Sequence, residues 1–196
     1  LQQADTGPRI LAANPAGKVP ALVLDDGTRI WESLAILESL GDIDPDKAVW
    51  PKDRAARIHA RCLANEMHAG FQPLRQACPM NLSKRFAFKG YGADVRANVE
   101  RIETLWREAR KQFGARAGGP FLYGAFGAAD AMYAPVVTRL DTYSWPVAAD
   151  TRAYMDAVLT SGSFRRWRDD ALREPVAWDI AGYETGHTPI ETFARG

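Results

Sequence analysis

Apolar positions recur along this chain with two different periods, and the change of period marks where strands give way to helices. From Val19 to Leu24 the run Val-Pro-Ala-Leu-Val-Leu has no polar break, the pattern of a short strand buried on both faces. Asp25-Asp26-Gly27 supplies turn chemistry, and Asp-Gly between two β-like runs predicts a hairpin whose return strand is Thr28-Arg29-Ile30-Trp31. Behind Glu32-Ser33 the spacing becomes helical: Leu34 and Leu37 lie three apart, Ile36 and Leu40 four apart, with Gly41 as the expected stop.

Beyond an Asp-, Pro- and Lys-rich linker closed by Trp50-Pro51, every periodic segment is helical. Leu63, Met67, Phe71 and Leu74 form one stripe in a helix over 52–75, interrupted by Pro73 and Pro79. Val95, Val99, Ile102, Trp106, Ala109 and Phe113 alternate steps of four and three without a miss. Two long helices adjacent in sequence are expected to pack as an antiparallel pair. After a Gly- and Pro-containing loop to Tyr123, Met132, Val136 and Leu140 set the core face of a further helix, which Pro135 should kink and Tyr143 to Pro146 should end. Two shorter helices follow, over Thr151 to Leu159 and from a Ser163 cap to Leu172, with Phe164, Trp167 and Ala171 inward. The stretch after Pro175 has no clear period and reads as an irregular tail.

Composition narrows the function classes. With 196 residues, 46% of them hydrophobic, the chain can bury a sizeable core as one large or two small domains. A net charge of +1 gives no reason to expect nucleic acid or a membrane surface, and no apolar run approaches the roughly 20 residues of a membrane span. Cys62 and Cys78 make no disulfide framework and read as reduced thiols. His59, His68 and His187 form no metal spacing with them, so no metal site is expected.

Pro20 stands at a strand start just after a Gly-Lys turn, a placement that suits a cis bond; its plainer reading is a strand-edge residue, as Ser33's is a helix cap. The joint spacing of Val19-Pro20, the hairpin and Glu32-Ser33 resembles the second half of the thioredoxin-like domain of glutathione S-transferases, where a Val-cis-Pro step precedes a hairpin and a Glu-Ser pair opens the next helix. A second resemblance lies at Gly127-Ala128-Ala129-Asp130. Members of that family carry a capping box there, Ser or Thr followed three residues later by Asp; Asp130 matches the acid, and Gly127 departs by lacking the hydroxyl. Both residues are expected to be structural.

The resemblance implies an α/β thioredoxin-like N-terminal domain and an all-α helical-bundle C-terminal domain. Their expected bounds are 1–42 for the glutathione-binding part, 43–51 for the linker, 52–175 for the helical domain and 176–196 for the tail. It implies glutathione as co-substrate. The backbone of Val19, turned outward by the Pro20 bond, would pair with the cysteinyl part; Glu32 would meet the ammonium and Ser33 the carboxylate of the γ-glutamyl end; Lys18 would meet the glycyl carboxylate or remain a solvated turn lysine. A small hydrophobic electrophile would sit near Met67, Phe71 and Met132, unless these are core. The implied protein is a cytoplasmic homodimeric transferase of the detoxification type, the alternative being a non-catalytic glutathione-binding or scaffold member. Leu1 to Ala13 opens without the family's first strand, helix and second strand, so the residue that activates the thiol (Ser, Tyr or Cys) is expected on a segment absent from this sequence.

Overall fold

In a computed structural model, residues 5–175, 180 and 182–194 are described. Helix α1 (Thr6–Ala13) leads into a hairpin of β1 (Ala21–Val23) and β2 (Arg29–Trp31), followed by α2 (Ser33–Ile43). The strands are antiparallel, with Ala21 opposite Trp31, Leu22 opposite Ile30 and Val23 opposite Arg29. Asp26 makes the turn: its Oδ1 accepts from the Thr28 amide, while the Gly27 amide donates to the Leu24 carbonyl at a φ of +85° that suits glycine. The expected burial of this strand on both faces is not found, because β1 pairs with β2 alone among the described residues and Val19 and Val23 are about half exposed. Nor does Gly41 stop α2. The helix runs on to Ile43, and Gly41 lies against the side chains of Trp50 and Val49.

The helical domain comprises α3 (Arg54–Ala69), α4 (Gln72–Ala77), α5 (Ala93–Ala109), a short α6 (Ala115–Ala117), α7 (Ala128–Thr142), α8 (Ala149–Thr160) and α9 (Gly162–Leu172). The single helix expected over 52–75 is two. It breaks at Gly70 and Phe71, whose φ of +62° turns the chain, and Pro73 opens α4 rather than ending anything, since a first-turn proline forfeits no helical hydrogen bond. Helix α3 packs chiefly on α7 rather than pairing with α5. The α5 stripe is as the spacing predicts: Val95, Val99, Ile102, Trp106 and Ala109 are all buried. Helix α7 sits at the centre, with Met132, Val136 and Leu140 among its buried residues and Pro135 within its span. The cap of α9 is Ser161, whose hydroxyl accepts from the Phe164 amide, not Ser163; Trp167 of that helix is exposed rather than inward, although its ring meets Phe164 edge-on.

The region expected to be an irregular tail contains a strand, β4 (Pro189–Thr192), antiparallel to β3 (Lys84–Phe86). Glu184 binds Lys84 and accepts from Asn81, and Arg85 binds both Glu191 and Asp141, so the strand is tied to the helical domain at several points. Residues 176–179, 181 and 195–196 of that expected tail lie outside the described residues.

Candidate glutathione-site geometry

The hairpin and α2 present the N-terminal candidates on one edge, and Asn14 organises the approach. Its side chain is buried, accepts from the Ala16 amide and donates to the Lys18 carbonyl, while its own carbonyl accepts from Gly17, so the turn that delivers Val19 is closed from inside. The Val19–Pro20 peptide is cis, and Lys18, Val19 and Pro20 are exposed. Arg29 of β2 donates to the Ala12 carbonyl and fixes α1 against the hairpin.

Glu32 joins β2 to α2 with a φ of +69°, a backbone conformation that costs an L-residue about 1–3 kcal/mol and persists only where its surroundings hold it. Ser33 is the first residue of α2, and Glu32, not Ser33, occupies the capping position, without a side-chain capping bond. The carboxylate is thereby free of the helix and lies 3.6 Å from Nε2 of His68. Helix α3 runs antiparallel to α2, since Glu32 meets His68 while, a turn and a half along, Glu38 makes a two-point ion pair with Arg61. The Arg61 guanidinium in turn lies over the Trp50 ring. No motif points to His68; its helix face, shared with Arg61 and Asn65 at helical spacing, is the one signal of it that the sequence carries.

The three candidates for a second-substrate pocket are elsewhere. Met67, Phe71 and Met132 are all closed into the helical core, and the Met67 carbonyl and sulfur take hydrogen bonds from Arg75. A cavity of about 600 Å³ does exist, lined by Trp50, Lys52, Ala56, Phe113, Tyr123 and Ala128 among others, and none of the three reaches it. It lies at the opposite end of α3: from Ala56 to His68 is twelve residues, roughly 18 Å at the helical rise. In its wall the Tyr123 hydroxyl is 2.7 Å from Nδ1 of His59, whose pKa is lowered by burial against the opposing pull of Glu108.

Gly127 and Asp130 stand at the start of α7. One Asp130 oxygen accepts from the Gly127 amide, the reciprocal half of a capping box, and the other accepts from the Leu122 amide and the Tyr154 hydroxyl. Gly127 has no side chain to supply the first half, but its narrow backbone sits where a Cβ would be 3.1 Å from the Val49 carbonyl. Asp130 thus joins the loop before α7 to α8. Of the thiols, Cys62 is exposed on α3 and Cys78 is fully buried, where desolvation raises its pKa.

Comparison with known proteins bears on the family and the fold. Residues 1–43 match the family description "Glutathione S-transferase, N-terminal domain" and residues 85–172 match "Glutathione S-transferase, C-terminal domain". Glutathione S-transferase GstA of Escherichia coli O157:H7 is 38% identical over 113 residues, 55% of this chain and 52% of that protein. A probable maleylacetoacetate isomerase of Caenorhabditis elegans is 49% identical over 61 residues, 31% of this chain and 28% of that one. The chain therefore spans about half the length, or less, of the curated relatives it matches. Among solved structures, a glutathione S-transferase from Rhodospirillum rubrum F11 superposes with a TM-score of 0.61 at 22% identity, covering 91% of this chain and 81% of that one. A glutathione transferase homolog from Burkholderia with bound glutathione gives 0.58 at 22% identity, covering 81% and 75%. With an α/β N-terminal domain and a helical C-terminal domain matched in order by the two halves of one family, the chain belongs to the glutathione S-transferase superfamily.

Proposed function

We propose that this chain binds glutathione at the edge formed by Lys18, Val19, Pro20, Glu32 and Ser33, and serves a glutathione transferase that directs the thiolate at small hydrophobic electrophiles. The observation that carries the reading is the carboxylate of Glu32, left out of the α2 cap by a left-handed backbone at the residue that immediately precedes that helix. Glutathione carries an ammonium and a carboxylate on the same γ-glutamyl carbon. Glu32 supplies the acceptor for the first, while Ser33 and the positive end of the α2 dipole favour the second. The exposed backbone at Val19 is free to add the cysteinyl peptide in β fashion. His68 orients Glu32 from the α3 side. These residues bind and orient the co-substrate.

The test is calorimetry on the whole protein. Glu32→Gln keeps the side-chain shape and removes the charge, and should weaken glutathione binding by about 1–3 kcal/mol, the range for a hydrogen bond to a charged group. Undiminished affinity in a variant with unaltered circular dichroism would overturn the assignment. A second reading, isomerisation of maleylacetoacetate, is favoured by the 49% identical stretch shared with the nematode protein. Parallel assays of aryl-halide conjugation and of maleylacetoacetate isomerisation separate the two, and inactivity in both with binding intact would favour a non-catalytic glutathione-binding member. Homodimer formation and a cytoplasmic, detoxifying role belong to the same proposal; no described helix is long and apolar enough to cross a membrane.

A further inference from the structure

The segment that carries β4 returns to the helical domain through His187, a side chain that the glutathione reading does not use. Its imidazole lies against two rings of that domain, with centroids 4.6 Å from Tyr143 on α7 and 5.4 Å from Phe86 on β3. Those two rings are fully buried and stack on each other at 5.3 Å, so the imidazole closes over an apolar floor. The backbone on either side is tied down: the His187 amide donates to the Glu184 carbonyl, and the Thr188 carbonyl accepts from the Ala87 amide.

Both ring nitrogens are placed for a neutral imidazole. Nε2 lies 3.5 Å from the Lys89 ammonium, which can only donate, so Nε2 is the acceptor and the ring hydrogen belongs on Nδ1. Nδ1 is buried and meets no acceptor among the described residues. Lys89 is held in place, since its Nζ also donates to the Gly186 carbonyl at 3.1 Å and lies 5.7 Å from the centroid of the Tyr91 ring. A second proton on the imidazole would go to Nε2, where it removes the acceptor and sets two full charges 3.5 Å apart. No acid offsets it: Glu184 of the same turn is taken by Lys84 and Asn81. The other charges on the packed elements are engaged elsewhere, Arg85 of β3 with Asp141 and Glu191 and Arg139 of α7 with the Pro135 carbonyl, while burial raises the Tyr143 pKa and keeps the phenol uncharged. Ring faces attract a cation, but weakly beside a like charge this close. Burial, with Lys89 adding to it, accordingly lowers the His187 pKa.

We propose that His187 is a proton-operated latch: while neutral it holds residues 182–194 on β3 and α7, and on protonation it releases that segment and uncovers the Phe86 and Tyr143 rings. The segment's other anchors do not titrate near neutrality. Glu184 with Lys84 and Glu191 with Arg85 are carboxylate pairs, and the Phe193 ring lies beneath the Arg85 and Arg168 guanidinium groups. His187 is the one histidine of the segment. Undocked, the imidazole takes its proton near the ordinary value of about 6.5; docked, it does so only at lower pH. The contribution of His187 to docking is therefore complete above about pH 7 and is lost as pH falls below about 6.5.

The test is hydrogen exchange of the full chain at pH 7.5 and 5.5, with each rate corrected for the intrinsic pH dependence of amide exchange. Protection of 182–194 and of β3 should fall about tenfold between the two values, the ratio for one proton taken up near 6.5, while that of α5 does not fall. His187→Phe keeps a ring against Phe86 and Tyr143 but accepts no proton, so its segment should hold its protection at pH 5.5. Lys89→Gln removes the ammonium from an exposed position without touching the ring packing, and should reduce the fall to about threefold or less. That variant carries the test even if His187→Phe disturbs the fold. Unchanged protection of 182–194 in the parent, a fall as large in either variant as in the parent, or an equal fall in α5 overturns the proposal.

Discussion

Asp130 shows how one residue can satisfy local and distant demands at once. The sequence reveals its capping of the Gly127 amide three residues back, because that bond depends only on spacing; the bonds from Leu122 and Tyr154 depend on how the loop and α8 return, which no local pattern encodes. It is fully buried, and desolvation raises its pKa to about 6 although all three donors oppose the shift. The folded state therefore holds this proton more tightly than the unfolded chain, and the associated stability is complete below about pH 4 and lost as pH rises through 6. Asp130→Asn removes the titration and leaves amide hydrogens facing donors. The variant should be less stable than the parent by about 1–3 kcal/mol at pH 7.5, and the gap should widen by roughly 1 kcal/mol at pH 5, where the parent gains. Urea denaturation of both proteins at the two pH values measures it; a gap that narrows toward pH 5 would show that Asp130 is ionised throughout. Glu32 was legible as a candidate from the Glu-Ser pair, but its left-handed backbone and its meeting with His68 were not, since both are set by the return of α3.

At the scale of elements, periodicity identified helices wherever one face is buried, and it failed where backbone geometry overrode pattern. The stripe from Leu63 through Leu74 continues across Gly70 and Phe71, yet the helix does not, because the chain turns there and both segments still bury the same side. Strand β4 has four exposed residues and so no alternation to find. Two glycines give opposed predictions. In the π-helical turn over Arg110–Gly114, a Cβ on Gly114 would lie 2.6 Å from the Leu122 carbonyl and 3.1 Å from that of Phe121, both backbone atoms. Gly114→Ala should therefore cost about 1–3 kcal/mol, the usual penalty of overpacking. Gly162, first residue of α9 behind the Ser161 cap, has nothing within 4 Å of the place a methyl group would take, so Gly162→Ala should stabilise by about 0.4–1 kcal/mol through the unfolded chain. Thermal denaturation of the pair tests both; equal effects would mean that the loop over 119–124 yields to Gly114→Ala.

For the whole molecule, burial is divided unevenly. Helices α3, α5 and α7 each bury at least five side chains, whereas α1, β1, β2 and α2 bury none fully, with Asn14 the buried exception between them. Val23, Trp31, Leu40 and Ile43 of the hairpin and α2, with Ile58 of α3, leave substantial apolar surface exposed. A two-fold partner would cover such surface, and light scattering at micromolar concentration should report a dimer; a monomer there would contradict it. The order of the two domains was legible because turn chemistry and helical period are local, while the thin cover of the N-terminal part follows from packing and was not. That thin cover predicts a gradient of local stability. Hydrogen exchange tracks the free energy of local opening, which rises with buried apolar contact. Amides of α5 and α7 should exchange slowest, and those of β1, β2 and α2 at least tenfold faster in the free protein. Glutathione at 100 times its Kd stabilises the conformation it binds by about 2.7 kcal/mol, so if it occupies the Glu32 edge it should slow exchange in the hairpin and α2, up to about a hundredfold, and leave α5 nearly unchanged. Exchange followed by mass spectrometry, with and without glutathione, resolves these segments; uniform protection across both domains would show that they open as one unit, contrary to the division of their cores.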